Sequence, residues 1–161
     1  MDPVAEDPAL RAWRALLRAH RRVSRALDAE LSRRGGLPLR AYEVLSRLAR
    51  APGCAMRMSD LASSVLLSAS GVTRLVDQLA DRGLIERQAD SKDARATIAV
   101  LTREGKALLR KTNGIYSEGV IKHFASHLAD AEVQAIAEAL EGMLARGEEP
   151  VRPRERRRRP G

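Results

Sequence analysis

The sequence predicts a mainly α-helical fold of six helices, broken once by a small β-hairpin. Three observations predict it. Apolar residues recur at helical spacing along most of the 161 residues, which is the signature of amphipathic helices. Serine, threonine and aspartate stand where those helices would begin, and glycine where they would end. Only residues 84–101 depart from this, as two short strand-like runs around the charged loop Asp90-Ser91-Lys92-Asp93-Ala94-Arg95.

From Leu10 to Leu31 the apolar stripe runs through Trp13, Leu16, Leu17, Val23 and Leu27, about six turns of helix. His20 shares that face, and Arg11, Arg14, Arg18, Arg21, Arg22 and Arg25 fill the others. Gly35 and Gly36 are expected to stop the helix, and Pro38 suits the first turn of the next. A second helix, roughly 39–51, should bury Ala41, Tyr42, Val44, Leu45 and Leu48, until "APG" at 51–53 breaks it. Ser59 is the expected cap of a short third helix. Ser68 should cap a fourth, 69–82, with Val72, Leu75, Val76 and Leu79 as its apolar stripe and Gly83 as its end.

Strands near 84–89 and 96–101 follow. A two-stranded hairpin is marginal in water unless it packs on something or binds something. Thr102 then opens a long helix with Glu104 in its first turn, where negative charge suits the dipole. Gly114 and Gly119 should bend or loosen that helix. Asp130 is the expected cap of the last helix, which carries Val133, Ile136, Leu140 and Leu144 in line.

Composition bounds the function. Aromatic residues are only 2%, so the core must be built from Leu, Ala and Val. No run of apolar residues is long enough for a transmembrane helix, and the acidic start "MDPVAEDPAL" has no apolar signal core. The single cysteine, Cys54, cannot form an internal disulfide, which fits a cytoplasmic protein. The net charge of +8 lies at the two ends of the chain: residues 152–159 hold six Arg and one Glu, while 107–150 is net acidic. A basic surface favours anionic partners, nucleic acid above all. Residues 150–161, rich in Arg and Pro, cannot bury a core and read as a disordered tail.

Two short helices joined with almost no loop form a helix-turn-helix candidate. The second presents Ala69, Ser70, Thr73, Arg74 and Asp77 opposite its apolar stripe, and small hydroxyls with one Arg can reach base edges and phosphates in a major groove. The hairpin that follows puts Lys92 and Arg95 beside that helix, within reach of an adjacent minor groove. Asp93 would repel phosphate if free, so its expected role is to hold Arg95 or another Arg. On this reading the hairpin tip is charged because its packing partner is DNA.

Residues 58–106, "MSDLASSVLLSASGVTRLVDQLADRGLIERQADSKDARATIAVLTREGK", resemble the MarR family of bacterial transcription regulators. The resemblance is carried by "GVTRLVDQL", "RGLIER", the wing's "DAR" and "LTREGK". It implies a winged helix-turn-helix fold in an intertwined homodimer, with residues 1–36 and 103–149 as the helical dimerisation region and 37–102 as the DNA-binding lobe. It places Ser68, Ser70, Thr73 and Arg74 on the recognition helix, and matches Asp93 and Arg95 to the wing's Asp-x-Arg motif. Here Ala94 and Ala96 flank Arg95, so the wing's charged network should be sparser than in many relatives. The implied function is a repressor that binds a pseudo-palindromic promoter site in double-stranded DNA and is released by a small aromatic or anionic ligand. Such ligands bind between the dimerisation helices and the DNA lobe in this family, which draws attention to Trp13, His20 and Tyr42; core packing explains the same three residues.

The remaining signals are weak. Cys54 lies in a Pro-Gly turn and reads as an incidental thiol. His123 and His127 are four apart on one expected helix face, but no further ligand joins them, so no metal or other cofactor is expected. No phosphate loop or nucleophile elbow is present, and the reading is not that of an enzyme. The alternative is a dimeric helical adaptor with protein partners and an incidental basic surface. Salt-dependent binding to duplex DNA separates the two.

Overall fold

A computed structural model of the protein describes residues 7–65, 68–90, 93 and 96–146. Helix α1 (Pro8–Glu30) opens where the Asp7 carboxylate accepts a hydrogen bond from the Ala9 N–H at 2.8 Å, with Pro8 in the first turn. It runs into a wider π-helical turn, Leu31–Gly35, so Gly35 does not stop it; Gly36, at φ 64°, does. Gly35 serves packing instead, because a Cβ there would lie 2.7 Å from Thr112 Cγ2. Helix α2 (Leu39–Arg50) follows, with Pro38 at the cap itself and the Asp28 side chain accepting from the Leu39 N–H at 2.8 Å.

The expected lone hairpin is one strand short of what forms. Strand β1 (Ala55–Arg57) pairs antiparallel with β3 (Thr97–Leu101), which also pairs with β2 (Ile85–Ala89), giving the order β1-β3-β2. The register sets Arg57 opposite Ile98 and Ile85 opposite Leu101. This third strand, together with the buried Ile85, Ala99 and Leu101, supplies what a bare hairpin lacks. The wing therefore stands on the core, independent of any ligand.

Between β1 and β2 lie the short α3 (Met58–Ser64) and α4 (Ala69–Asp81). Ser59 is not the cap of α3, since Arg57 occupies that position and the Ser59 hydroxyl turns to Asp60 at 3.2 Å. Ser68 does cap α4, accepting from the Gly71 N–H at 3.2 Å. Gly83 carries the chain out of α4 at φ 70°, a conformation that penalises any Cβ. Val72 and Val76, fully buried, fasten α4 to Leu61 and the strands beneath.

Helix α5 (Arg103–His123) begins at Thr102, whose hydroxyl donates to the Gly83 carbonyl at 2.7 Å and accepts from the Gly105 N–H at 3.0 Å. It runs unbroken past Gly114 and Gly119; the latter is where α5 closes on α1, since a Cβ there would lie 2.6 Å from Leu27 Cδ2. The core of this unit, through Phe124, gathers Leu27, Leu31, Leu45, Leu48, Leu79 and Leu109.

Residues from Ala125 form a second unit. A 3-10 turn, Ala125–His127, precedes helix α6 (Asp130–Ala145). The cap is Ala129, not Asp130, and the Glu132 carboxylate closes back on the Ala129 N–H at 2.8 Å. His123 and His127 thus belong to different elements and share no helix face. The Arg-rich stretch 150–161 lies outside the described residues, and no described helix is long and apolar enough to cross a membrane.

Candidate nucleic-acid interface

Helix α4 has two opposed faces because its apolar residues repeat at helical spacing and its hydroxyl and basic residues fall between them. Val72, Val76 and Leu79 point into the core, while Ser68, Ser70, Thr73 and Arg74 are exposed on the other side. All three of these hydroxyls are already engaged. Ser68 caps the helix and stands 3.2 Å from the Ser70 hydroxyl, and Thr73 donates to the Ala69 carbonyl at 3.1 Å. Arg74 is exposed with no partner among the described residues. It is the side chain of this face with the most reach and the fewest commitments.

The wing meets α4 along its own inner edge. Arg87 lies on the same face of β2 as the buried Ile85, two residues away, and that face turns it toward α4, where it forms an ion pair with Asp77. Asp77 is therefore held by the wing, which sequence reasoning had left on the exposed face. Asp93 is exposed, and its carbonyl accepts from the Ala96 N–H at 2.9 Å, shaping the turn. Lys92 and Arg95 lie outside the described residues.

The wing's buried acid is Asp90, 7% exposed, and Arg57 meets its carboxylate at 2.6 Å. A buried carboxylate needs such a partner, because desolvation of an unpaired charge is costly. Arg57 and Arg87 then line one hollow of about 280 Å³ between α4 and the wing root, together with Met58, Ser59, Thr73, Ala96 and Thr97. Among the described residues of that wall none is a carboxylate. Sequence reasoning missed both arginines. Arg87 could have been found from its alternation with Ile85, whereas nothing local marks Arg57.

The three residues singled out for a ligand do not share one cavity. Trp13 is 56% exposed and borders none of the cavities described. His20 lines an apolar cavity of about 300 Å³ with Leu16, Val23, Tyr116, Val120 and Phe124. Tyr42 is buried behind Tyr116, their rings stacked at 4.5 Å, and its hydroxyl donates to Asn113 Oδ1 at 3.1 Å. That burial holds its phenol above the usual range. Tyr42 borders a separate hollow of about 230 Å³ with Arg47, Arg50 and Ser64, and Tyr116 and Glu43 line both. The sequence marked the region but missed Tyr116, which joins its two chambers.

An ion cluster lies at the α1–α5 contact. Glu30, nearly buried, accepts from Lys122 Nζ at 2.8 Å and from His123 Nε2 at 2.9 Å, with Arg34 at 3.7 Å. Hydrogen bonds from Lys122 and then His123 pull its carboxyl down to about 2. Among the described residues no three His, Cys, Asp or Glu side chains converge as a metal site.

The MarR family model matches residues 35–96. The chain is similar in fold to AbsC, a MarR family transcriptional regulator from Streptomyces coelicolor, with 30% identity, a TM-score of 0.77, and coverage of 91% of this chain and 100% of that one. It is also similar to Sco3205, a MarR family transcriptional regulator from the same organism solved in complex with DNA, at 28% identity and a TM-score of 0.78 over 92% of this chain and 95% of the other. The uncharacterized HTH-type transcriptional regulator YkoM of Bacillus subtilis (strain 168) is 29% identical over 131 residues, which is 81% of this chain and 82% of YkoM.

Proposed function

The chain belongs to the MarR family of DNA-binding transcriptional regulators, and from that premise we propose that it is a homodimeric repressor of a pseudo-palindromic promoter site. One observation carries the reading. The exposed face of α4, with Ser70, Thr73 and Arg74, stands beside a wing built on the core, the arrangement that lets one helix enter a major groove and a hairpin the next minor groove. Residues 37–102 then act as the DNA lobe, with Lys92, Asp93 and Arg95 among its DNA contacts. Residues 1–36 and 103–149 act as the dimerisation region.

Support for the dimer comes from the apolar surface the single chain leaves uncovered. Leu10, Trp13 and Leu17 on α1, and Met143 and Leu144 on α6, are all exposed. Support for an effector comes from the apolar cavity at His20, which adjoins a hollow of about 410 Å³ lined by Arg21, Arg25 and Arg40, with Asp28 as the one acidic residue among the described lining. An aromatic or aliphatic body with an anionic group suits that pair of chambers, and it releases DNA to the extent that it prefers the unbound conformation.

Selection from a random duplex pool tests the reading. A two-fold dimer with α4 in successive major grooves returns an inverted repeat with half-site centres about 34–36 Å apart. Recovery of a single asymmetric half-site would refute the dimer geometry, and absence of any salt-dependent duplex binding would refute the function.

A further inference from the structure

We propose that the hollow between α4 and the wing root is a binding site for one phosphodiester of the DNA backbone, with Arg57 as its principal ligand. The proposal rests on the reading of α4 and the wing as groove-entering elements. A duplex has two grooves, and a phosphodiester strand divides each from the next. A protein that sets α4 in the major groove and the wing in the adjacent minor groove must let that strand cross between them. The gap it crosses is the hollow of about 280 Å³ bounded by Thr73 of α4 and by Ala96 and Thr97 at the wing root.

The wall chemistry is that of an anion site. Two arginines, Arg57 and Arg87, and three hydroxyl residues, Ser59, Thr73 and Thr97, are among the residues that line it. The carboxylates that pair with the two arginines are absent from the lining. Asp90 is buried, while the Arg57 side chain is 45% exposed, so the cation stands between its own carboxylate and the solvent. A guanidinium has five N–H donors in a rigid fork, and the contact to Asp90 leaves most of them for a second anion. The same contact holds Arg57 in place before DNA arrives, so little side-chain freedom is lost on binding. Arg87 adds a second cation from the opposite strand of the wing, oriented by Asp77. The hollow is thus a preorganised, sequence-independent contact that sets how deeply the helix and the wing sit in their grooves.

Replacing operator phosphates one at a time with neutral methylphosphonates, against full-length parent and the Arg57→Gln and Arg87→Gln variants, tests this. In the parent, one position per half-site, on the strand between the two contacted grooves, should weaken binding about tenfold. The same replacement should cost Arg57→Gln less than about twofold, because that contact is already gone. Each lost contact should also lower the slope of log affinity against log salt by about 0.9. Arg87→Gln keeps the test independent of Asp90, since its partner Asp77 is half exposed and tolerates being left alone. If the parent binds its operator but no phosphate couples to either arginine, Arg57 only supports the wing and the inference fails alone. If the parent binds no duplex at any salt, the inference falls together with the function on which it rests.

Discussion

Arg74 and Glu30 illustrate two roles a single side chain can take here. Arg74 is exposed and uncommitted on the polar face of α4, so truncation leaves nothing buried behind it. Arg74→Ala should weaken operator binding by about 1–3 kcal/mol with the melting temperature unchanged, and should relax base preference at one position of each half-site if the contact is to a base edge. Unchanged preferences in a random-pool selection would assign it to the backbone. Glu30 works in the opposite sense, as a nearly buried carboxylate tied to Lys122 and His123. Its folded pKa, about 2, lies below the ordinary 4.5, so its stabilisation is complete above pH 4.5 and is lost as pH falls toward 2. Glu30→Gln should therefore show a shallower loss of stability than the parent between pH 4.5 and 2, read from urea midpoints at stepped pH. Parallel curves would mean the pair is already solvated in the folded state.

At the scale of elements, the joint between the wing and α5 leaves no room for a side chain at Gly105. Gly105 sits one turn into α5, against the Leu84 carbonyl and the Leu101 side chain, and a Cβ there would collide with backbone that cannot swing aside. The Thr102 hydroxyl ties the same joint by bridging the Gly83 carbonyl and the Gly105 N–H. Gly105→Ala should destabilise the protein by about 1–3 kcal/mol through overpacking, despite the better helix propensity of alanine. Thermal unfolding checks the sign: a rise in melting temperature would mean that the joint can shift. The wing itself depends on β1, because the strand adds a third partner to the sheet and delivers Arg57 to Asp90.

For the whole molecule the question is what covers α1. Its inner face closes on α5, while Leu10, Trp13 and Leu17 remain exposed beside a row of arginines on the far side. A contiguous apolar stripe of this kind marks an interaction surface, and a second copy is the partner that the proposed two-fold operator calls for. Sedimentation should find a dimer at micromolar concentration. The double substitution Trp13→Glu and Leu17→Glu should give a folded monomer with operator affinity reduced by orders of magnitude, because each lobe then binds alone. A dimer that survives both charges would place the interface elsewhere.

The sequence by itself determined the helices and the outward face of α4. Periodicity assigned α4 and its stripe of Val72, Val76 and Leu79, and the local chemistry of Ser68, Thr102 and Gly83 marked real ends. Where local signals compete, it missed by a residue or two: Ser59 and Asp130 are one or two positions inside the helices they were expected to cap. Only the tertiary structure decided the rest. Three residues, Ala55–Arg57, carry no period and are a strand because β3 lies beside them. Asp90 found Arg57, Glu30 found Lys122 ninety-two residues away, and Tyr42 stacked on Tyr116 while Trp13 stayed at the surface. Helix periodicity and capping are short-range properties of one stretch of chain, so they can be read where they stand. Strand pairing, charge partnership and burial belong to segments distant in sequence, and they exist only once the chain has folded them together.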